Sequence, residues 1–364
     1  MPRVEVVGLS KTYGPIKALD DVNLTIEDRE YVSILGPSGC GKTTLIKCIA
    51  GIIEPTRGEV YIGGRAVRGL MPEDRDVGYV FQEIALFPHM NVWNNVTYGP
   101  RVKGWPADRT RSLALEMLDM IGLEDRSNSY PDELSGGAGQ KTAVARAVSS
   151  GSTLLLLDEP LGALDAKVRA DLRYRLRDLV KELNLTAIHV THDQEEAMSI
   201  SDRVVVMRAG RIVEEGNPMR LYLRPKNVFT ANFLGEANFL QGKVVEVGKE
   251  GAVVEVGGCK LRTRDASRKL GEEVVACVRP EFVSIRRPAG KPALRGVIRD
   301  VAFKGGVVRY ELSISGASVF SDCAAGLEPE GLQRGDEVEV EVDCENVLVF
   351  QPPPEGLDRA VSLE

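Results

Sequence analysis

A chain of 364 residues is long enough for two or three domains, and its 43% hydrophobic and 27% charged residues are typical of a protein with a packed core. The formal charge of −7 argues against a nucleic-acid partner held by bulk electrostatics, and 5% aromatic residues argue against stacked-base binding. No apolar run approaches the roughly 18 to 20 residues of a membrane span, and the N-terminus lacks the apolar core of a signal peptide, so we expect a cytoplasmic chain.

From residue 3 to about residue 215, short apolar runs alternate with segments of helical period. Apolar side chains from Leu164 to Leu183 recur every three or four residues, which predicts an amphipathic helix. Continuous apolar runs suit strands that are buried on both faces of a partly parallel sheet. The alternation therefore predicts an α/β fold. The predicted strands are Tyr31–Leu35, Leu154–Leu157, Ala187–Val190 and Val204–Met207.

A glycine-rich segment follows the first of these strands and matches the pattern G-x-x-x-x-G-K-[ST]. Its glycines allow backbone N–H groups to surround an anion at the positive end of a helix. Lys42 places a charge near the β- and γ-phosphates, and the Thr43 hydroxyl suits Mg²⁺. The pattern predicts a P-loop protein that binds a nucleoside triphosphate with Mg²⁺. The segment consists of Gly36, Pro37, Ser38, Gly39, Cys40, Gly41, Lys42, Thr43 and Thr44.

Two acids end the second predicted strand. Asp158 can hold the Mg²⁺ shell through water, and Glu159 can act as the general base that polarises the attacking water. Neighbouring residues of a strand point to opposite sides, so the two acids are not expected to duplicate one role. With the phosphate loop they predict triphosphate hydrolysis. His192 follows another buried strand, where it is either structural or holds the γ-phosphate.

The chain changes character near residue 216, where a linker begins. From residue 239 to residue 350 the apolar runs are short and separated by glycines, which predicts a small barrel or sandwich. Residues 351–364 begin with a run of three prolines after Gln351 and are expected to be disordered. We therefore predict an α/β domain over 1–238 and a β-rich domain over 239–350. The six cysteines lack zinc-ligand spacing and are interpreted as small buried hydrophobic residues.

The fragment Leu134–Gly137 distinguishes among the classes of P-loop protein. Together with the other motifs, it makes this chain resemble the ATPase subunits of ATP-binding cassette (ABC) transporters. Gln82 is similar to their Q-loop, Leu161–Asp165 to their D-loop and His192 to their switch histidine. Tyr13 resembles the aromatic residue that stacks on adenine. The resemblance implies an ABC cassette with a helical subdomain, with ATP as the nucleotide. It also implies catalytic roles for Gln82 and His192 beside Glu159, with Gln82 also a ligand of Mg²⁺.

Ser135, Gly136 and Gly137 provide a hydroxyl and bare N–H groups beside a helical stretch over 139–150, which together suit an anion. The resemblance implies that this second anion site closes over the ATP of another copy of the chain. Two composite sites then form in a head-to-tail dimer, which ATP joins and hydrolysis releases. Asp165 is placed at the same nucleotide site by its D-loop position.

Leu134–Gly137 resembles the signature motif of the family, whose pattern is Leu-Ser-Gly-Gly-Gln-Gln-Gln-Arg, and this chain departs from that pattern after Gly137. Ala138 lacks the side chain expected to reach the nucleotide of the partner, and Lys141 lacks the planar fork of arginine. Gly139 weakens the helix start by up to about 1 kcal/mol. We expect a working site with weaker ATP-driven dimerisation.

The segment from Gln82 to Trp93 is apolar and irregular, with Pro88 in its middle. It is either buried core or, as the resemblance implies, the region that contacts a helix of the membrane permease subunit. Exposed side chains over Leu86–Trp93 would suit such a groove. Movement of Gln82 with the γ-phosphate would then couple ATP to the permease.

The β-rich half resembles the C-terminal oligonucleotide/oligosaccharide-binding (OB)-like barrel of importer ATPases for sugars, polyamines, iron and molybdate, with Arg279-Pro280-Glu281 as a shared short motif. Residues 239–350 contain 16 basic and 18 acidic residues, a balance that does not favour nucleic acid. Regulation, dimer contacts or a small effector is the favoured role. The junction Phe233–Asn238 leans towards polyamine or iron rather than sugar.

The sequence thus indicates the ATP-hydrolysing subunit of an ABC importer, peripheral to the cytoplasmic face of the membrane. Separate permeases and, indirectly, a solute-binding protein are its implied partners. A soluble ABC ATPase that acts on ribosomes or nucleic acid is the alternative, but those proteins carry two cassettes or a long coiled coil. A P-loop kinase would not need Leu134–Gly137.

Overall fold

The computed structural model describes residues 3–162, 164–288, 294–329 and 331–362. Ala163, within the predicted D-loop, therefore lies outside the described residues. The chain divides into two compact units, of which the first ends at Met219 and the second begins at Arg220.

Within the described part of the first unit, two sheets and a set of helices surround buried apolar clusters. The strands are β1 (Val4–Tyr13), β2 (Ile16–Ile26), β3 (Tyr31–Leu35), β4 (Arg57–Ile62), β5 (Arg65–Ala66), β6 (Val77–Val80), β7 (Leu154–Asp158), β8 (Thr186–Val190), β9 (Arg203–Arg208) and β10 (Arg211–Gly216). The helices are α1 (Lys42–Ala50), α2 (Val92–Val102), α3 (Ala107–Ile121), α4 (Gly136–Val148), α5 (Ala166–Glu182) and α6 (Gln194–Ile200).

The central sheet has the order β10-β9-β3-β8-β7-β6 and is parallel from β9 to β6. All five residues of β3, β7 and β8 are buried, as the continuous apolar runs predict for strands covered on both faces. Helices α2, α3 and α4 pack on one another in an apolar cluster that includes Val96, Met117 and Val144 and continues to the central sheet. The predicted α/β fold with a helical subdomain is confirmed.

A second, antiparallel sheet of order β2-β1-β4-β5 adjoins β3 and α1 through a shared core. Its strands alternate between buried and exposed side chains, with Val4, Val6 and Leu9 of β1 inside. This sheet was absent from the sequence prediction, because half-buried strands with charged outer faces lack a continuous apolar run.

The second unit is a β-rich, nearly closed barrel. Its described strands pair in the orders β13-β12-β11-β14-β20 and β15-β19-β16-β17-β18, all antiparallel, around one apolar core. The barrel prediction is confirmed. The strands are β11 (Asn238–Gly248), β12 (Gly251–Val256), β13 (Cys259–Thr263), β14 (Glu273–Val278), β15 (Val283–Arg286), β16 (Leu294–Phe303), β17 (Val307–Ile314), β18 (Ala317–Ala324), β19 (Glu337–Val342) and β20 (Leu348–Phe350).

The linker packs with the barrel, so the structure corrects the predicted boundary at residue 238. It forms α7 (Pro218–Leu223), which crosses the division between the units, and α8 (Val228–Phe233). Val228 of α8 is buried against β14. Arg279 of the short motif donates to the Tyr222 carbonyl at 2.8 Å and lies 3.6 Å from the ring centroid of Tyr222, which fastens the linker to the barrel.

The C-terminal tail also differs from its prediction. Residues Leu357–Val361 form helix α9 rather than a disordered segment. Ala360 is buried against α8, and the Val361 carbonyl accepts a hydrogen bond of 2.8 Å from Asn232. An apolar face at three-residue spacing therefore orders the chain after the prolines.

The cysteines are all free, and three of them are buried, as predicted for small hydrophobic residues. Burial raises the pKa of the Cys48 thiol to about 11 and that of Cys277 to about 12. The other three, Cys259, Cys323 and Cys344, are partly exposed and correct that part of the prediction. Among the helices of the described residues, none combines the length and apolarity that crossing a bilayer requires.

Candidate active site

Several of the predicted site residues lie together at the carboxyl edge of the central sheet. Ile34 of β3 and Asp158 of β7 both align with Val190 of β8. The loops that follow these three strands therefore leave the sheet side by side, where parallel sheets commonly bind ligands. The phosphate loop, Glu159 and His192 lie on those loops, and Asp158 ends β7.

The phosphate loop is shaped by glycines that no other residue could replace. A Cβ at Gly36 would lie 2.4 Å from the Met207 carbonyl oxygen of β9. A Cβ at Gly41 would lie 2.3 Å from the Ala18 carbonyl oxygen, and the φ of Gly41 is +106°. The backbone thus approaches its neighbours closely and enters α1 with the first-turn N–H groups directed away from the helix body.

Lys42 is buried at the start of α1. Its Nζ donates to the carbonyl oxygens of Gly36, at 2.6 Å, and Pro37, at 2.9 Å. The ammonium group therefore lies inside the curve of the loop, which suits the recognition of a phosphate chain.

Asp158 is completely buried at the end of β7. Its Oδ1 accepts a 2.9 Å hydrogen bond from the Thr43 hydroxyl, and its Oδ2 accepts one of 3.2 Å from Tyr79. Burial raises the pKa of this carboxyl group, although the two hydrogen bonds oppose the shift. Sequence reasoning missed Tyr79, whose single signal was its place in β6 three residues before Gln82.

The side chain of Glu159 lies beside those of two other predicted site residues. Its Oε2 lies 3.4 Å from Gln82 Nε2 and 3.3 Å from His192 Nδ1. The His192 side chain is 60% exposed and faces solvent beside the carboxylate. The structure therefore joins a carboxylate, an amide and an imidazole next to the phosphate loop.

The backbone of Glu159 has an unusual conformation, and hydrogen bonds at both its N–H and its carbonyl group stabilise it. Its φ is +48°, a left-handed value that costs a residue with a Cβ about 1 kcal/mol. The Glu159 N–H donates to Val190 at 2.9 Å, and its carbonyl accepts a 3.1 Å hydrogen bond from the Gln140 side chain of α4. Sequence reasoning gave Gln140 no role and missed this contact.

The signature residues lie at the start of α4. Ser135 is its N-cap, and the Ser135 hydroxyl accepts from the Ala138 N–H at 3.3 Å. Gly136 is exposed, and a Cβ at Gly137 would lie 3.2 Å from Leu164. A Cβ at Gly139 would lie 3.4 Å from Ile84, so alanine could replace this glycine. The same distance shows that α4 lies close to the segment that follows Gln82.

Two predicted residues contact none of these groups among the described residues. Tyr13 ends β1 and is 46% exposed, and Lys11 Nζ lies 5.1 Å from the centroid of its ring. Asp165 is the N-cap of α5 and accepts from the Val168 N–H at 3.0 Å. Both are placed on the surface of the unit.

The segment Leu86–Trp93 is neither buried core nor freely exposed. Leu86, Phe87, Met90 and Trp93 are half-buried, and Trp93 packs against the helical cluster. These four side chains therefore fit neither of the two alternatives, buried core or exposed contact surface, in full. A cleft of about 270 Å³ beside the segment contains Phe87 and exposed Tyr98, with ring centroids 4.5 Å apart.

Asn95 organises this segment, and sequence reasoning missed it. The side chain is completely buried. Its Oδ1 accepts from the Phe87 N–H at 3.0 Å, and its Nδ2 lies within 3.2 Å of the carbonyl oxygens of Phe87, Met90 and Asn91. One amide thus holds the loop together.

The sheet edge, phosphate loop and paired acids define a P-loop ATPase with a β-rich second unit. Residues 19–162 match the family model for ABC transporters, and residues 276–350 match the model for the TOBE domain. With the relatives described next, this shows that the chain belongs to the ABC transporter family as an ATP-binding protein.

Curated relatives match most of the chain. The spermidine/putrescine import ATP-binding protein PotA of Rubrobacter xylanophilus is 39% identical over 352 residues, 95% of this chain and 93% of its own. The Fe(3+) ions import ATP-binding protein FbpC 1 of Rhizobium meliloti is 41% identical, covering 86% and 88% of the two chains. The sulfate/thiosulfate import ATP-binding protein CysA 2 of Chromobacterium violaceum is 43% identical, covering 95% of both.

A solved structure also resembles the first unit. A dimeric, post-hydrolysis form of the ATP-binding cassette MJ0796 bound to ADP and Pi is 35% identical, with a TM-score of 0.55. It covers 59% of this chain and 98% of its own. The import proteins among the relatives support an importer ATPase over an ABC protein of ribosomes or nucleic acid.

Proposed function

We propose that this chain hydrolyses ATP to drive solute import through separate permease subunits, from the cytoplasmic face of the membrane. The observation that carries the proposal is the meeting of Glu159, Gln82 and His192 beside the phosphate loop. The import proteins among its relatives supply the transport context.

ATP binding is assigned to the phosphate loop and α1. The loop N–H groups would cradle the β- and γ-phosphates, and Lys42 would turn from the Gly36 and Pro37 carbonyls towards the phosphate oxygens. Glu159 would accept the proton of the attacking water, while His192 and Gln82 would hold the γ-phosphate and that water. Exposed Tyr13 would stack on adenine.

The side chains beside the loop fit Mg²⁺. Thr43 and Asp158 already place two hard oxygens 2.9 Å apart, and Gln82 offers an amide oxygen on the next loop. Burial disfavours the charge of Asp158, so a cation there would relieve a cost that the folded chain otherwise bears. When bound, Mg²⁺ supplies positive charge to the β- and γ-phosphate oxygens.

A head-to-tail dimer would complete each site. Ser135, Gly136 and Gly137 stand at the start of a 13-residue helix, whose dipole favours the γ-phosphate of the partner copy. Asp165 would lie at the same interface. The dimeric form of the MJ0796 cassette bound to ADP and Pi supports dimerisation.

The Ala138 position tests the dimer. Restoring glutamine by Ala138→Gln should tighten the ATP-bound dimer about tenfold, because one added hydrogen bond to a charged phosphate contributes about 1.5 kcal/mol. Ultracentrifugation with a slowly hydrolysed ATP analogue measures the change. Gly139→Ala is the control, since it strengthens the same helix without a polar side chain. An unchanged dimer constant for Ala138→Gln would show that the departure is neutral.

Permease contact is assigned to the cleft beside Leu86–Trp93. Exposed Ile84 and Tyr98 add apolar surface to the half-buried members of that segment. Apolar surface of this kind suits the insertion of an amphipathic helix.

Replacing Asn95 by aspartate should weaken this contact. Asn95→Asp keeps the shape but removes the donor to three carbonyl oxygens, which should lower the free energy of unfolding by about 2 kcal/mol and loosen the segment. Urea unfolding and capture of the co-expressed permeases measure both effects. Asn94→Asp, at the half-buried neighbouring position, is the control. Parental stability and capture in Asn95→Asp would contradict the assigned role.

Co-purification tests the function as a whole. The tagged chain, expressed together with its neighbouring genes, should copurify with two permease subunits and a solute-binding protein. ATP hydrolysis in that complex should rise when the transported solute is added. Capture of ribosomal proteins in place of permeases would overturn the proposal. A polyamine or ferric iron remains our preferred solute over sugar, and uptake by vesicles that contain the complex distinguishes them.

A further inference from the structure

Helices α5 and α6 are joined by a line of cations. Arg169, Arg173, Arg177 and Lys181 recur every four residues along one face of α5. Each contacts an acid or a carbonyl of the segment that follows His192. Arg173 pairs with Glu195, and Arg177 lies 3.4 Å from the Ser199 carbonyl oxygen. Lys181 pairs with Asp202 at the far end. The two helices are therefore fastened along their length.

Arg169 occupies the end of this line nearest the nucleotide site. Its Nη1 lies 3.2 Å from Asp193 Oδ2, and its Nη2 donates to the Leu164 carbonyl at 2.9 Å. Leu164 precedes Asp165, which starts α5, and Asp193 follows His192 and starts α6. One guanidinium group thus joins the loop before α5 to the loop before α6.

The backbone beside His192 is anchored, whereas its side chain is exposed. Asp193 Oδ1 accepts from the Glu196 N–H at 3.0 Å, and the Asp193 N–H donates to Thr191 at 3.0 Å. Buried Thr191 donates in turn to the Glu196 carboxylate at 2.5 Å. His192 therefore takes its position from Thr191 and Asp193, and Arg169 restrains Asp193.

We propose that Arg169 is a positioning residue that holds the His192 loop in register with the loop ending at Asp165. This rests on the proposed function, in which His192 holds the γ-phosphate and Asp165 faces the partner copy. Contact of the partner with the Asp165 loop would then set the histidine of this subunit. The guanidinium fork is required because a lysine can reach Asp193 or the Leu164 carbonyl but not both.

Steady-state ATP hydrolysis by the full chain tests the proposal. Arg169→Leu should lower kcat at least about tenfold and leave KM for ATP within about twofold, because a small displacement of a reacting group slows the chemistry. Arg169→Lys should recover part of the loss. The matched control is Arg175→Leu on the same helix, whose exposed ion pair with Asp171, at 2.9 Å, does not involve His192. That control should keep the parental kcat.

Combination with His192→Ala separates positioning from general packing. If Arg169 acts through His192, Arg169→Leu should cause no further loss of kcat in the His192→Ala background. If the double variant loses kcat by the product of the two single losses, the proposal is overturned. It is also overturned if Arg173→Leu, one turn further along, lowers kcat as much as Arg169→Leu does and likewise causes no further loss in the His192→Ala background. If Arg169→Leu does not fold, Asp193→Asn replaces it, because asparagine keeps the helix cap and removes the ion pair.

The two possible failures are distinguishable. A parental kcat for His192→Ala would overturn the proposed role of His192 and the inference with it. A low kcat for His192→Ala with a parental kcat for Arg169→Leu would overturn the inference alone.

Discussion

Replacing Glu159 by glutamine should nearly stop ATP hydrolysis and leave ATP binding intact. Glutamine has the size of glutamate and can keep contact with Gln82 and His192, but it cannot accept the proton of the attacking water. We expect kcat to fall about 10³-fold, a typical contribution of a general base. Phosphate release measures this loss. Because ATP then persists, the ATP-bound dimer should accumulate in gel filtration.

A neighbouring glutamate provides the control for this change. Glu83 is exposed beside Gln82, and Glu83→Gln removes the same charge without touching the reacting groups. Its kcat should equal that of the parent. Turnover by Glu159→Gln at the parental rate would show that another group is the base.

Removing the Lys42 ammonium group should weaken nucleotide binding itself. In Lys42→Ala the phosphate chain loses a buried positive charge, and the Gly36 and Pro37 carbonyls lose their donor. Loss of one partner from a buried charge pair costs about 2 to 5 kcal/mol, so we expect Kd for ATP to rise at least about 30-fold. Titration calorimetry with Mg²⁺ and ATP measures the change.

Lys47→Ala, five residues further along α1, tests whether general loss of charge on the helix has the same effect. We expect its Kd to stay within about threefold of the parent, since a partly exposed lysine outside the loop contributes little. Equal ATP affinity in Lys42→Ala and the parent would contradict the assigned cradle. Thermal unfolding without nucleotide separates a damaged loop from a lost phosphate contact.

The sequence predicted the parts of the fold that depend on continuous patterns. Fully buried β3 and β7 were found within one residue of their ends, because a strand covered on both faces is apolar throughout. The sequence prediction missed short strands that have one solvent-exposed face. In β13, for example, Lys260 and Arg262 alternate with partly buried Cys259 and buried Leu261 and Thr263, and five residues of such alternation resemble a loop.

The site shows a similar division. Residues within contiguous motifs, such as Lys42 and Glu159, could be placed from the sequence because the chemistry and the spacing coincide. Gln140, Asn95 and Arg169 could not, because they act on backbone carbonyl groups whose positions depend on the fold. Every residue has a backbone carbonyl group, so the sequence does not show which carbonyl a donor side chain will contact.

The backbone of Glu159 has a consequence for how the protein changes over evolution. Glycine would adopt its left-handed φ without strain, yet glycine has no carboxylate. The backbone conformation of this position therefore favours a residue that lacks the proposed general base. A glycine that relieved this strain would remove the proposed general base, and the hydrogen bonds with Val190 and Gln140 help to keep glutamate compatible with a folded chain.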